Sequence, residues 1–391
     1  MHGSLKSVCG DTLGAHYMFG LMSPSANTFC RLCLTKRNKI LEHSSEKTVK
    51  LRNRASHDYI VATLENNSDA QQVGIDGVRT SCILNHSNYF HITSNRIMDA
   101  MHDVLEGVAP FIVMLTLRAF SSLEPHYGIN ASLINERLDI FDSGPDDTIS
   151  RPLSVFDDSK IKKPKNNSTQ LNASQNWCLV RYLPLLIGEK VDKGDCHWEL
   201  LLTLLSTMEI IFSPAISLEA ALWLQVLIKQ LLYLLKSLYA EINPINKFHH
   251  LIHYVNNIIS NGLPIGNWCE RYESFHNEFK RLSKSNCNFI NIPKTVAAHL
   301  QLTWCKNLTK STTFDDCVTF SKTFNTLSDD FRFSLQSFLG DNLYDSPNFV
   351  NWINVNGFLF KRKSALVKQK SHESSDELPQ FCQVELLFMD R

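Results

Sequence analysis

Two short patterns in this chain carry the residue types of a metal site. Cys30-Arg31-Leu32-Cys33 places two thiols three positions apart, close enough to take adjacent corners of a tetrahedron, but two ligands do not hold zinc. A redox dithiol is the other use of such a pair, and no βαβ pattern surrounds it. His249 and His253 lie four apart in a helical stretch, which stacks their imidazoles on one face, one turn apart. Taken together, the pairs form a Cys2His2 set closing a loop of more than 200 residues. Taken singly, each His is an ordinary helix-face residue. Each pair is also flanked by an acid at nearly equal distance: Asp11 lies nineteen residues before Cys30, and Glu273 twenty after His253. Read alone, Asp11 is a turn residue after glycine and Glu273 a solvated helix position. Read with the metal pairs, they are carboxylates brought from remote elements to a divalent cation, the arrangement that activates water for phosphodiester cleavage.

The elements that must position these groups are mostly helical in pattern. Ser4–Met22 reads as a strand end followed by a turn at Gly10-Asp11. Arg96–Phe120 is strongly helical, with Pro110 kinking or dividing it. Residues 141–172 are rich in Asp, Ser, Pro, Lys and Asn and read as a loop, with a basic knot at 160–165. Helical periodicity then runs through Ser174–Ile187, Trp198–Phe212 and Ser217–Glu241, and returns in Lys247–Ser260, Trp268–Lys284 and Ile292–Asn307. Strand-like alternation appears only near the end, around 357–360 and 383–388.

Whole-chain properties narrow the classes. The chain has 391 residues, 39 Lys+Arg against 39 Asp+Glu, and 43% apolar residues. A nucleic-acid contact must therefore come from a local patch rather than a global charge, and general disorder is excluded. Eleven cysteines without an apolar leader near Met1 point to a reduced, intracellular compartment, nuclear or cytoplasmic. The most apolar stretch, 216–239, is interrupted by Glu219, Lys229 and Lys236, so a soluble protein without a membrane partner is expected. No Gly-x-Ser-x-Gly elbow, Walker A loop or dinucleotide glycine fingerprint occurs, which leaves no small-molecule cofactor to expect.

Six segments, in order, resemble the transposases of CACTA-like (EnSpm-type) DNA transposons, in their animal branch. They are Gly10-Asp-Thr-Leu-Gly-Ala-His16, Ser25-Ala-Asn-Thr-Phe-Cys-Arg-Leu-Cys33, Asp99-Ala-Met-His-Asp-Val-Leu-Glu-Gly107, Leu179-Val-Arg-Tyr-Leu-Pro-Leu-Leu-Ile-Gly188, Lys247-Phe-His-His-Leu-Ile-His-Tyr254 and Trp268-Cys-Glu-Arg-Tyr-Glu273. The likeness spans about 5–310, and the order acid, CxxC, HxxxH, Glu also resembles the catalytic core of the V(D)J recombinase and its Transib-type transposon relatives. The resemblance implies an incomplete RNase H-like core interrupted by a large helical insertion; the alternation near the end adds a small C-terminal β module, and the combined reading is an α/β plus α fold. It divides the chain into a partial core (1–120), a loop (121–173), the helical insertion (174–245), the segment with the His pair and the Glu helix (246–310), a helical connector (311–344) and the β module (345–391).

The implied activity is DDE-type transposition, Mg2+- or Mn2+-dependent DNA strand cleavage and transfer. By that match Asp11 is the second catalytic Asp and Glu273 the final Glu. Cys30, Cys33, His249 and His253 become ligands of a structural zinc. Asp99 and His102 match a DxxH motif serving either a helix start or site support and DNA contact. Arg271, Lys280 and Arg281 on the Glu273 helix, and Lys36 and Arg37 in the basic stretch after Cys33, are the candidate phosphate contacts. The implied partner is transposon-end DNA, with a homo-oligomer possible. One departure matters. The family's first catalytic Asp belongs well upstream of Asp11, where ten residues carry no acid. The expectation is thus an impaired enzyme, poorly soluble alone because strands of the sheet would be missing. The alternative is a zinc-stabilised DNA- or protein-binding module that no longer does chemistry.

Overall fold

The computed structural model describes residues 5–147, 150–152, 156–162, 167–286, 290–309, 318–322, 348–355, 358–361, 365–367, 381–384 and 387–389. Two compact units divide the chain, one of residues 1–141 and 152–282, the other of 142–151 and 283–391.

The first unit is helical. Its N-terminal part carries α1 (Thr12–Met18), α2 (Arg54–Glu65) and α3 (Ser68–Val73). Asp11 starts α1 by accepting the Gly14 N–H on Oδ1 at 2.6 Å, so the turn expected at Gly10-Asp11 is a helix N-cap. Around these helices the chain pairs only through isolated bridges, such as Val8 with Arg96 and Cys33 with Leu51. Among the described residues of this unit there is no multistranded sheet. A small cluster of Ala15, Phe19, Leu21, Leu64, Val78, Phe90 and Ile92 holds this part together.

The main core lies among the longer helices. Met101–Val108 is wound as a π-helix, with the Ala109 N–H bonded to Val104 O five residues back, and runs without a break into α4 (Ala109–Ser122). Pro110 stands beside the change from π to α winding, at the start of α4. Its missing N–H falls in the first turn of α4, where the wide π turn hands over to the α ladder. Helix α4 is apolar on nearly every face and buried accordingly. The short helices α5 (Glu124–Tyr127) and α6 (Ala131–Ile140) follow, α7 (Gly144–Asp147) belongs to the second unit, and α8 (Asp158–Lys162) returns to the first, so 141–172 is not wholly a loop. In the basic knot, 163–165 lie outside the described residues.

Three helices carry most of the remaining core: α9 (Ala173–Ile187), α10 (Cys196–Ile211) and α11 (Leu218–Leu238). A reciprocal Asn172–Gln175 capping box starts α9, Asp195 caps α10 and Ser217 caps α11. Leu224, Ile228, Leu231 and Leu235 recur at helical spacing on α11 and are buried, each worth about 1.5–3 kcal/mol of transfer free energy. By length and composition two helices, Met101–Ser122 and Leu218–Leu238, are long and apolar enough to cross a membrane, against the expectation drawn from the interrupting charges; the first is 83% buried inside the protein.

The stretch expected as one helix over 247–260 is broken into α12 (Asn246–His250), a 3-10 turn (Leu251–His253) and α13 (Tyr254–Asn261). Gly107 admits α12 to the π-helix: a β-carbon there would stand 2.3 Å from Lys247 Cδ. Helix α14 (Glu270–Asn286) carries Glu273.

The second unit holds α15 (Ile292–Thr309) and short antiparallel pairings. β1 (Val318–Phe320), β3 (Trp352–Val355) and β4 (Phe358–Lys361) form a sheet in the order β1-β3-β4, with Phe320 opposite Ile353 and Ile353 opposite Phe360. β2 (Asn348–Val350) pairs with β7 (Leu387–Met389), and β5 (Ala365–Val367) with β6 (Phe381–Gln383). β1 lies within 311–344, the stretch expected as a helical connector; the rest of that stretch, save 321–322, lies outside the described residues. The chain is thus mostly helical with small antiparallel sheets towards the C-terminus, an α-plus-β composition.

Candidate metal centre and acidic cleft

Cys30 and Cys33 sit on a tight loop pinned at both ends. Thr28 bridges Lys36, Leu34 donates to Lys50 O at 2.9 Å, and Arg52 donates its backbone N–H to Leu32 O at 2.9 Å and its Nε–H to Cys30 O at 3.0 Å. Within the loop the Leu32 N–H points at Cys30 Sγ at 3.3 Å, the backbone-to-sulfur contact that steadies a thiolate. Both cysteines are fully buried.

The histidines approach from the last turn of α12 and the 3-10 turn. The tighter winding there leaves the rings 5.3 Å apart, edge to face at 77°. His249 Nε2 lies 3.1 Å from Cys33 Sγ, and His253 Nε2 lies 3.5 Å from Cys30 Sγ. Zn–S near 2.3 Å and Zn–N near 2.0–2.1 Å at a tetrahedral angle would place S and N about 3.5 Å apart. All four ligand atoms lie within 4.8 Å of one another, and all four residues are buried. The residues therefore suit a metal ion such as zinc: two soft sulfurs and two imidazoles, each presenting the same ring nitrogen.

The four groups are shifted in opposite directions, and a metal ion would have to displace protons from Cys33 and His253. Burial would push the Cys30 thiol up, but its hydrogen bond with Cys33 and the charge and hydrogen bonds of His253 and His249 bring it well below the usual range. Cys33 is pushed up, first by its hydrogen bond to Cys30 and then by burial. Burial lowers His249. It would also lower His253, yet the Cys30 charge and Glu46 raise that ring to about 9.

A further layer surrounds the ligands. Glu46, at the start of the 3-10 turn Glu46–Thr48, accepts the His253 Nδ1–H on Oε1 at 2.6 Å, and its second oxygen accepts from Asn256. A carboxylate behind a ligating imidazole fixes tautomer and orientation. Beside it, buried Asp103 pairs with His250 Nδ1 at 2.8 Å and accepts from Tyr254 Oη at 3.4 Å. Burial would raise the Asp103 carboxyl, but His250, the buried Arg31 and Lys247 hold it below the usual carboxylate range. Nothing in the spacing of Glu46 or Asp103 marks them in the sequence.

The carboxylates assigned to catalysis are placed differently from one another. Asp11 is exposed, and its Oδ1 is engaged in capping α1. Glu273, on the first turn of α14, meets His102 Nε2 at 3.2 Å. Among the described residues no hydrogen bond or ion pair joins Asp11 to Glu273. Their flanks do meet: Cys9, two residues before Asp11, touches Cys269, four before Glu273, at 3.8 Å between sulfurs.

Asp99 ties that junction together. Its Oδ1 accepts from the Cys269 N–H at 3.0 Å and from the Met101 N–H at 3.3 Å, and its Oδ2 pairs closely with His102 Nδ1. Burial would lower His102, but Asp99, Cys269 and Glu106 raise it to about 10, so an imidazolium faces Glu273. Glu106 Oε2 stands 3.8 Å from the same ring. A cleft of roughly 400 Å³ opens here, lined by Glu106, Glu270, Glu273, His276 and Lys280 among others. Glu270 is raised by burial and by the neighbouring charges of Glu273, Glu106 and Asp99. Glu106 and Glu270 join Glu273 at this cleft without having been singled out in the sequence, although both fall inside segments that carry the resemblance.

Of the basic candidates, Lys280 lines the cleft and Arg281 is exposed on α14, while the Arg271 side chain lies outside the described residues. Lys36 donates to Thr28 Oγ1 at 2.7 Å and pairs with Asp76 at 3.5 Å, and Arg37 donates to Ser25 O at 3.2 Å. These last two brace the loop that carries the cysteines. No protein-family model matches the chain, and no curated protein matches it.

Proposed function

We propose that the chain is a transposase-derived core of the DDE type, braced by a structural zinc at Cys30, Cys33, His249 and His253, whose reaction class is divalent-metal-dependent DNA strand cleavage and transfer. The observation that carries the reading is the meeting of a CxxC and an HxxxH more than 200 residues apart in one buried cluster, with Glu273 twenty residues beyond His253, after α13 and at the start of α14. In this reading the core is RNase H-like in descent, and Mg2+ or Mn2+ would be held by Asp11 and Glu273. Bound there, the ion would polarise the scissile phosphate and activate water. His102 balances the Glu273 charge while the metal is absent, and transposon-end DNA lies along Lys280, Arg281 and Arg271.

A second reading, a zinc-braced binding module without chemistry, draws on two observations. Asp11 is occupied as a helix cap, and Glu273 is occupied by an imidazolium. Fe2+ substituted for Mg2+, with ascorbate and peroxide, separates the two, because it cuts the peptide chain beside its own binding site. The DDE reading expects cuts near residues 11 and 273, suppressed by excess Mg2+ and by Glu273→Gln. Absence of such cuts in a zinc-loaded chain selects the binding module. Zinc per chain, measured beside Cys30→Ser and His253→Ala, tests the brace itself.

A further inference from the structure

A second cluster of metal-binding residue types lies apart from both sites above. His57 and Asp58 are neighbours on α2, and His91 lies on the loop 87–95. One ligand atom from each falls within 4.8 Å of the other two. His91 Nε2 stands 2.9 Å from Asp58 Oδ1, and the rings of His57 and His91 meet edge to face at 5.3 Å.

The decisive observation is His57. Its side chain is only 2% exposed, and neither ring nitrogen has a hydrogen-bond partner. A buried imidazole whose two nitrogens face no partner is expensive in a folded protein, and such groups call for an explanation. A metal ion between the three residues would account for one of the two nitrogens: it would accept a lone pair from His57, replace the proton between His91 and Asp58, and leave Asp58, half exposed, at an open edge where water completes the coordination.

The surroundings are arranged for such a ligand set. His91 Nδ1 accepts from the Thr93 N–H at 3.2 Å and sits 2.7 Å from Thr93 Oγ1, contacts that fix the ring and turn Nε2 towards Asp58, where a metal would take the place of the Nε2 proton. Arg54 Nε lies 3.5 Å from Asp58 Oδ2 and orients the carboxylate. The nearby guanidiniums of Arg52, Arg54 and Arg96 oppose a further positive charge, which limits the affinity to below that of the Cys2His2 cluster.

We propose that His57, Asp58 and His91 form a second metal site, an N2O set for a divalent transition ion of the zinc class, which staples α2 to the loop 87–95 over the smaller hydrophobic cluster. The site is independent of the Cys2His2 brace and of any catalysis.

The test is metal loading of the full chain with zinc alone and with cobalt alone. The expected result is two zinc ions per chain, the second weaker. Cobalt should show thiolate charge-transfer bands from the first site and, on further addition, weak bands without sulfur character. His57→Phe should reduce zinc from two to one while keeping the thiolate bands. Asp58→Asn, at a half-exposed position that folding tolerates, should weaken the second ion at least tenfold. Cys30→Ser should remove the thiolate bands and leave the second ion in place, so failure of one site is distinguishable from failure of the other. The proposal is overturned if the parent never takes up an ion insensitive to Cys30→Ser, or if His57→Phe leaves the metal count unchanged and merely raises stability, as removal of two orphaned nitrogens from an ordinary core histidine would do.

Discussion

Glu46→Gln offers the sharpest test of the metal centre because it changes one charge and almost no volume. The carboxylate accepts the His253 Nδ1–H at 2.6 Å and also receives Asn256. A glutamine keeps one carbonyl acceptor for the ring but withdraws the negative charge that makes the ligating nitrogen more basic. Loss of such a partner costs about 10–100-fold in metal affinity, equivalent to about 1.4–2.7 kcal/mol. The brace stabilises the fold by RT ln(1 + [Zn]/Kd), so the same free energy disappears from unfolding stability at a fixed, saturating concentration of free zinc. The assay is competition with a chromophoric chelator, paired with denaturant unfolding at buffered zinc. Both should move by the same amount in Glu46→Gln once the stability change measured without zinc, where Glu46 still pairs with His253 and Asn256, has been subtracted. A zinc Kd within twofold of the parent, with Cys33→Ser abolishing binding in the same series, would refute the argument that Glu46 acts through His253.

Other consequences are more local. Leu231→Ala on α11 removes a fully buried side chain and should cost about 2–5 kcal/mol in urea unfolding, with the higher value if the site cannot collapse. Asp103→Ala strands the buried His250 and should cost about 3–5 kcal/mol; adding His250→Ala should cost much less than the sum of the singles, which a double-mutant cycle reads directly. His16 is buried, its Nδ1 2.5 Å from Met22 O, and burial lowers it to about 4 from an ordinary 6.5. The native state therefore binds its proton less readily than the unfolded chain, and its contribution is intact above pH 6.5 and lost as pH falls towards 4. It amounts to about 3 kcal/mol at most, so His16→Phe should flatten that part of the stability–pH curve, and an unchanged slope would count against a neutral His16.

What could be read in the sequence follows from which physics is local. The long helices α9, α10 and α11 announce themselves because an apolar stripe at a period of 3.6 needs no knowledge of its partner. The cysteine and histidine pairs were legible for a related reason: only a few residue types bind soft metals, and their spacing is set within one turn. Glu46 was not legible, since a lone carboxylate in a basic stretch says nothing of a histidine 207 positions away. The break of 247–260 into two helices and a 3-10 turn also escaped the pattern, because a 3-10 turn barely shifts the apolar period while it re-aims His253. Asp11 carries two signatures at once. Its position relative to Cys30 suggested catalysis, while the simpler signature, an Asp three residues before a free N–H at a helix start, describes what its side chain does. The strand β1 arose where a helical connector was expected, because three residues paired with β3 carry too little pattern to be read alone.

The DxxH segment bears on how these parts work together. Asp99 spends its oxygens on the Cys269 and Met101 N–H groups and on His102, so it is a joint between the start of the π-helix and the residue just before α14. That joint fixes where α14 begins, and Glu273 sits in its first turn against His102. The Cys2His2 cluster independently fixes where α13 follows α12, upstream of the same helix. Glu273 is thus positioned from both sides, by the Cys2His2 cluster before it and by a hydrogen-bonded junction beneath it, whereas Asp11 is held by the Val8 bridge to Arg96, the Cys9 contact with Cys269 and the start of α1. Any chemistry at the acidic cleft then depends on α14 as the rigid partner and on the short segment from Cys9 to Asp11 as the part that must yield. In the proposed function, a divalent cation held by Asp11 and Glu273 would have to offset the loss of the α1 cap, about 1 kcal/mol.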